Sequence, residues 1–316
     1  MRVVSLLPSA TEIVYALGMD EHLVGVTFEC DEPAAARTKK AVVVGGRDTR
    51  GMTPREIDRY VREQLAAGGD LYTLHADALR DLRPDVVLTQ DLCRVCALPT
   101  AHVGQALDYL GCDADVVSLD PASLQQVLDT IMRMGDRLGV PVRAQRLVFS
   151  LRRRLADIAA RVGGRPRPRM AVVEWVDPPF TGGHWVPDLV TAAGGTPVAA
   201  HPGGRSRRTT WDDVRTARPD VLVVAPCGFH LDAAVDQAKQ VLPHLPGPAV
   251  WAIDADGLVV RPGPRLIDGV EALAAILHPD LAGPPHPAAA RIVRRPEPPQ
   301  LPEVGSRAST TGRVRP

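Results

Sequence analysis

One layout occurs twice in this chain. Leu82-Arg83-Pro84-Asp85-Val86-Val87-Leu88 runs towards Cys93, and Ala217-Arg218-Pro219-Asp220-Val221-Leu222-Val223-Val224 runs into Ala225-Pro226-Cys227. A short, unbroken aliphatic run behind a proline reads as a strand covered on both faces, the kind that fills the middle of a parallel sheet. Its return in the other half predicts two similar lobes, and 316 residues are enough for two domains with a sizeable core.

The remaining punctuation fits that plan. Strands are predicted at Val3 to Leu7, Leu23 to Thr27, Val42 to Val44, Val116 to Leu119, Met170 to Trp175 and Val250 to Ile253, with helical stretches between them. Strands alternating with helices imply parallel sheets. Ser9-Ala10-Thr11-Glu12 has capping-box spacing, Thr53-Pro54 opens another helix, and Asp212-Asp213 suit a helix N-terminus. Asp256-Gly257 reads as a hairpin turn. From Pro141 to Val162 the residues Ala144, Leu147, Val148, Leu151, Leu155, Ile158 and Val162 form one apolar stripe at helical spacing. At ~1.5 Å per residue that helix is ~33 Å long, enough to tie two lobes together stiffly. Its arginines, Arg143, Arg146, Arg152, Arg153 and Arg154, read as a solvated face.

The expected organisation is an α/β protein of two Rossmann-like lobes with parallel sheets joined by a long rigid helix. The N-terminal lobe takes residues 1–140, the connecting helix 141–163 and the C-terminal lobe 164–280. Residues 281–316, rich in Pro, Ala, Arg, Ser and Thr, read as a disordered tail. Lys and Arg (37) balance Asp and Glu (37), so no whole-chain charge favours nucleic acid or an anionic membrane. No apolar run approaches the ~20 residues of a membrane span. Met1-Arg2-Val3 leads straight into a strand with no signal-peptide pattern, so the chain is expected in the cytoplasm, or in the periplasm or outside if translation starts upstream. In a cytoplasmic chain five cysteines lean towards metal or redox chemistry rather than disulfides.

Several stretches carry a family resemblance: Ser5-Leu6-Leu7-Pro8-Ser9-Ala10-Thr11-Glu12, Glu29-Cys30-Asp31, Gln90-Asp91-Leu92-Cys93-Arg94-Val95-Cys96-Ala97, Gly183-His184-Trp185-Val186-Pro187, Pro226-Cys227-Gly228-Phe229 and Arg261-Pro262-Gly263-Pro264-Arg265. Together with the stiff central helix they resemble the iron-chelate/vitamin B12 class of periplasmic binding proteins, within it the cobalamin-binding subgroup. That resemblance implies a monomeric two-lobed protein with little hinge motion and a small metal chelate, cobalamin or another corrinoid, in the cleft. It also implies delivery to an ABC transporter permease through acidic residues; Glu56 and Asp213 lie on lobe helices, but nothing in the sequence singles them out.

Cys30, Cys93, Cys96, His184 and Cys227 each follow a predicted strand, and in a parallel sheet those exits share one side. Three readings stand for the thiols of Cys30, Cys93, Cys96 and Cys227: loop residues with no chemistry, a metal site (Zn or an iron–sulfur cluster) or metal-containing ligand, and thiol redox work. Cys112 lies on the opposite side and reads as structural. Trp175, Phe180 and Trp185 flank the His184 loop and either face a flat macrocycle or pack the loop on its own lobe. Arg205, in the basic turn at 201–208, either holds a ligand carboxylate or phosphate or is solvated. Phosphate-loop, dinucleotide, nucleophile-elbow and zinc-protease motifs are all missing. The expected function is ligand binding without catalysis, with a cytoplasmic metalloprotein or a thiol enzyme as the alternatives.

Overall fold

The computed structural model of the chain describes residues 1–49, 51–91, 100–110 and 112–295. The N-terminal sheet is built from β1 (Val3–Ser5), β2 (Leu23–Thr27), β3 (Ala41–Gly46), β4 (Tyr72–Leu74), β5 (Val86–Thr89) and β6 (Asp115–Ser118), in the order β4-β3-β2-β1-β5-β6. Its helices are α1 (Pro8–Ala16), α2 (Ala35–Lys39), α3 (Pro54–Ala66), α4 (Ala76–Leu82), α5 (Thr100–Leu110) and α6 (Leu124–Arg137). The connecting helix α7 (Pro141–Val162) follows as expected.

The C-terminal lobe holds β7 (Arg169–Val176), β8 (Pro179–Thr181), β9 (Gly183–His184), β10 (Thr196–Pro197), β11 (His201–Pro202), β12 (Arg207–Arg208), β13 (Val221–Val224), β14 (Ala249–Ile253) and β15 (Ala290–Arg294). Its main sheet runs β12-β8-β7-β13-β14-β15, with β10 also on β7, while β9 and β11 form a small pair of their own. The helices are α8 (Val186–Ala192), α9 (Trp211–Thr216), α10 (Leu231–Val241), α11 (Ala255–Leu258), α12 (Leu266–Leu277) and α13 (Pro279–Ala282). Both sheets are parallel through their middles. Antiparallel pairing is confined to the flanks: β3 with β4, β8 with β7 and β12, and β14 with β15.

The repeated Arg-Pro-Asp-Val layout is one device used twice. A residue before proline is kept out of the right-handed helical region. Arg83 and Arg218 instead turn left-handed, at φ 42° and 44°, where a helix has just ended. The aspartate after the proline then registers the strand. Asp85 accepts from the Arg2 N–H at 2.6 Å and Asp220 from the Arg169 N–H at 2.7 Å. Each returns its own N–H to the carbonyl of the same arginine at 2.8 Å. β5 is thereby aligned on β1, and β13 on β7.

Helix α7 merges the two lobes at the back. Ala144, Val148, Leu151 and Ile158 are buried in one apolar cluster that includes Ile13 and Ile131 from the first lobe and Leu189 and Leu273 from the second. The approach to α6 is close enough that a Cβ on Gly135 would fall 2.2 Å from that of Ala144. The arginine face is not simply solvated. Arg143 donates to the carbonyls of Leu17 and Gly18, and Arg154 pairs with Asp268 and Glu271 on α12. Two of the helix's arginines therefore pin it to both lobes.

Three further expectations are corrected. Helix α1 starts at Pro8 with no side-chain cap, and Glu12 is buried instead of reaching back to Ser9. Asp256-Gly257 lies in α11, capped by the Asp254 side chain, and not in a hairpin turn. The expected disordered tail from 281 is ordered at first, because β15 pairs antiparallel with β14 along Val250 to Ile253 and closes that sheet edge. Alternation around Ile292 and Val293 was the available signal, masked by the prolines before it.

Candidate functional site

The strands of each sheet end in loops that meet between the lobes, and the aromatic residues gather there. β7 carries one extra residue against β8: Val173 pairs with Thr181 and Trp175 with Phe180, so Glu174 is a bulge. Directly opposed residues of an antiparallel pair share a face, which puts Trp175 and Phe180 side by side. Phe229, in the loop after β13, stands with its ring 5.8 Å from that of Trp175. All three are half-buried. The Trp175 indole N–H donates across the junction to the Pro54 carbonyl, and Arg55 pairs with Asp177 at 2.9 Å. The start of α3, fixed by the Thr53–Glu56 capping box, thus lies against the second lobe.

The bulge aims Glu174 at two loops. Its carboxylate accepts from the Gly183 N–H and from the Ser206 hydroxyl. Gly183 is required by contact alone, since a Cβ there would lie 2.3 Å from the Ser206 nitrogen and 2.5 Å from the Gly204 oxygen. His184 follows in the left-handed region at φ 49°, with its N–H donating to Gly204 and its carbonyl accepting from Gly203. Its ring leans on Trp185, centroids 5.6 Å apart. Nε2 is covered and has no hydrogen-bond partner. Burial, and then the charge of Arg205, lowers the His184 pKa, so the imidazole is neutral at pH 7. Arg205 itself is exposed, with no carboxylate partner among the described residues.

Other expected site residues fall elsewhere. Trp185 is 5% exposed and its Nε1 donates to the Val259 carbonyl at 2.8 Å, so it anchors α8 in the core and offers no face to a ligand. Cys30 does follow β2, but it is fully buried against the Thr11 hydroxyl at 3.0 Å, and burial pushes its thiol up to about 11. Packed there among apolar residues of the first lobe, it serves the core. Cys227 is half-buried, its N–H spent on the Glu174 carbonyl. Cys93 and Cys96 lie outside the described residues. Among the described residues no group of three His, Cys, Asp or Glu side chains is arranged to hold a metal ion. No helix among them is long and apolar enough to cross a membrane.

Sequence reasoning missed Phe229 as a wall of the site and missed the charged residues Glu12, Asp31, His230, Asp254, Asp256 and Arg261, which meet where the lobes join. Their signal was present. Most follow a strand as directly as the cysteines do, but carboxylates and arginines at loop starts read as solvated until a partner is known.

Comparison with known proteins bears on this arrangement. The periplasmic binding protein family matches residues 3–260, and the chain belongs to that family. An uncharacterised ABC transporter substrate-binding lipoprotein, YvrC of Bacillus subtilis, is 27% identical over 290 residues, covering 88% of this chain and 80% of its own length. A vitamin B12-binding protein of Vibrio cholerae is 23% identical over 279 residues, covering 87% and 88%. A periplasmic heme-binding protein from Pseudomonas aeruginosa superposes with a TM-score of 0.67 at 24% identity, over 94% of this chain and 99% of the other, and has the same two-lobed α/β fold. The chain is accordingly a solute-binding protein and not an enzyme. The cytoplasmic location and the thiolate metal centre gain no support from these relatives, whose descriptions are of lipoprotein and periplasmic binding proteins.

Proposed function

We propose that this periplasmic binding protein carries a corrinoid such as cobalamin in the cleft between its lobes, outside the cytoplasm, and presents it to an ABC transporter permease. The lobes are taken as residues 1–140 and 164–295, joined by 141–163. The observation that carries the reading is the half-buried strip of Trp175, Phe180 and Phe229 at the strand ends. Flat aromatic faces left partly open between two lobes suit a flat macrocycle.

Arg55, Arg261 and Arg265 each already face a carboxylate. Amides around a corrin rim need no cation, and Arg205, exposed in one turn with Arg207 and Arg208, suits the one phosphate of a nucleotide loop. The vitamin B12-binding relatives point the same way. His184 is the proposed polar contact, a neutral ring on a strained backbone. Its Nε2 reaches a ligand only if the ring turns.

The test is titration of the ligand-free protein with cyanocobalamin and with haemin, followed by calorimetry and visible absorption. Stoichiometric uptake of cobalamin with shifted visible bands is expected. Trp175→Ala should weaken it by at least about ten-fold, ~1.4 kcal/mol, and His184→Ala several-fold. Unchanged affinity in His184→Ala removes that residue from the site. Uptake of haemin and not of cobalamin overturns the corrinoid assignment, and uptake of neither overturns the macrocycle reading.

A further inference from the structure

Several of the motifs quoted for the family resemblance carry charged residues that stand apart from the aromatic strip. Glu12 on α1, Glu29-Cys30-Asp31 after β2, the loop after β13 that ends at His230, and Arg261-Pro262-Gly263-Pro264-Arg265 before α12 converge instead on one place between the lobes. Asp31 comes from the first lobe and accepts from two groups of the second, Arg261 Nη1 at 2.6 Å and His230 Nε2 at 3.0 Å. The other ring nitrogen of His230 faces Asp254 Oδ1 at 2.9 Å. Arg261 Nη2 donates to Asp256 at 3.0 Å, and Asp256 accepts from the Gly228 N–H. Arg261 and Arg265 each stand 3.7 Å from Glu12 on the first lobe. Gly263 lies against α1, where a Cβ would make ordinary contact with the Glu12 carboxylate at 3.4 Å.

We propose that Asp31 is the bridging residue of an ionic clamp, gripped by Arg261 and His230, that joins the two lobes and fixes the width of the cleft before any ligand arrives. The apolar core shared along α7 holds the lobes at the back, and the contacts of Asp31 add a polar attachment between the loop after β2 and the segments around His230 and Arg261. The second attachment is strong because it is largely withdrawn from water. The side chains of Arg261, Asp256 and Glu12 are 11%, 8% and 5% exposed and that of Asp31 is 24% exposed. Parting the lobes would leave Arg261 with Asp256 and His230 with Asp254, but would strand the three-quarters-buried Asp31 without either partner, which is far costlier than exposing a surface pair. Both nitrogens of His230 face carboxylates, so the ring serves both only as the doubly protonated cation. Hydrogen bonds to Asp254 and then Asp31 push its pKa up to about 10, which keeps it so at neutral pH. A cleft held at one width spares a ligand the cost of ordering it.

The test is hydrogen–deuterium exchange on the full, ligand-free chain, so that it stands whether or not the ligand is a corrinoid. Asp31→Asn, a change in the first lobe, should speed exchange in the second lobe at the amides of Gly228, Phe229, Asp256 and Gly263 by about ten-fold or more. The reciprocal His230→Ala, at a half-exposed side chain that the fold tolerates, should speed exchange at Cys30 and Asp31 in the first lobe. Faster exchange confined to the substituted lobe, in either variant, overturns the clamp. If Asp31→Asn does not fold, the His230→Ala result decides alone.

Discussion

Glu12 allows the charged junction to be weighed in free energy. Its side chain is 5% exposed, and Oε1 accepts no hydrogen bond although Arg261 and Arg265 stand 3.7 Å away. Burial outweighs those cations and pushes its pKa up to about 7 from an ordinary 4.5. The folded protein therefore holds a proton on Glu12 that the unfolded chain gives up as pH rises past 4.5. The stability linked to that proton is fully present below pH 4.5 and is lost as pH rises through 7. At ~1.4 kcal/mol per pH unit the loss is on the order of 3 kcal/mol, a large share of the ~5–15 kcal/mol that holds a typical domain. Urea unfolding of the native protein and of Glu12→Gln, at intervals from pH 4.5 to 8, separates this contribution from all others. The unfolding free energy of the native protein should fall more steeply over that range, by about 3 kcal/mol in total relative to the variant. Parallel curves would refute the reasoning, because they would mean that Glu12 ionises in the folded state as readily as in water.

The same measurement extends to neighbouring groups and to two positions away from the charges. Glu29, half-buried and accepting from the Tyr72 hydroxyl, is also pushed up to about 7 by desolvation, so Glu29→Gln should flatten the acid side of the curve in the same sense. His230 adds a decline above pH 7, its contribution being present below pH 6.5 and fading towards 10, and the raised Cys30 thiol adds its own from pH 9; His230→Ala should remove the decline between pH 7 and 9. Gly183→Ala should cost about 1–3 kcal/mol in denaturant titration, because its Cβ meets the Gly204–Ser206 backbone, which has nowhere to go. Trp185→Phe should cost about 1 kcal/mol for the hydrogen bond to Val259 and leave ligand affinity unchanged, and a loss of affinity would return Trp185 to the site.

The architecture was legible because it rests on local, repeated devices. Arg-Pro-Asp-Val fixes where a helix stops and a strand starts, and the stripe from Ala144 to Val162 fixes α7 to its end residues. The short strands of the second lobe were not legible. β8, β9, β11 and β12 are two or three residues long, are held by bulge geometry and by the Glu174 carboxylate, and have no periodicity to read. The site was half legible for a similar reason. Strand exits lead to the junction between the lobes, but what a side chain does there depends on its depth, and Cys30 and Trp185 are buried where Trp175 and Phe180 are only half-buried. Asp31 and Arg261 were invisible because each is defined by a partner some 230 positions away.

Two of the places where the lobes touch among the described residues differ in a way that decides how a ligand enters. Arg55 and Asp177 remain 75% and 42% exposed, so water and salt screen their attraction and the pair contributes little to holding the lobes. The Asp31–Arg261–Asp256 contacts are withdrawn from water and are screened far less. With α7 fused into both cores at the back, the weakest link around the cleft is the start of α3, where Arg55 and the Pro54 carbonyl cover Trp175. A ligand that stacks on Trp175 must first displace that contact, and it can do so without parting the lobes. Arg55→Ala should accordingly speed ligand association in stopped-flow mixing and abolish its dependence on salt, while hydrogen exchange at Cys30, Asp31 and Gly228 stays at the native rate. An association rate that rises only when Asp31 or His230 is substituted would reverse the assignment and make the clamp, and not the α3 start, the point that yields.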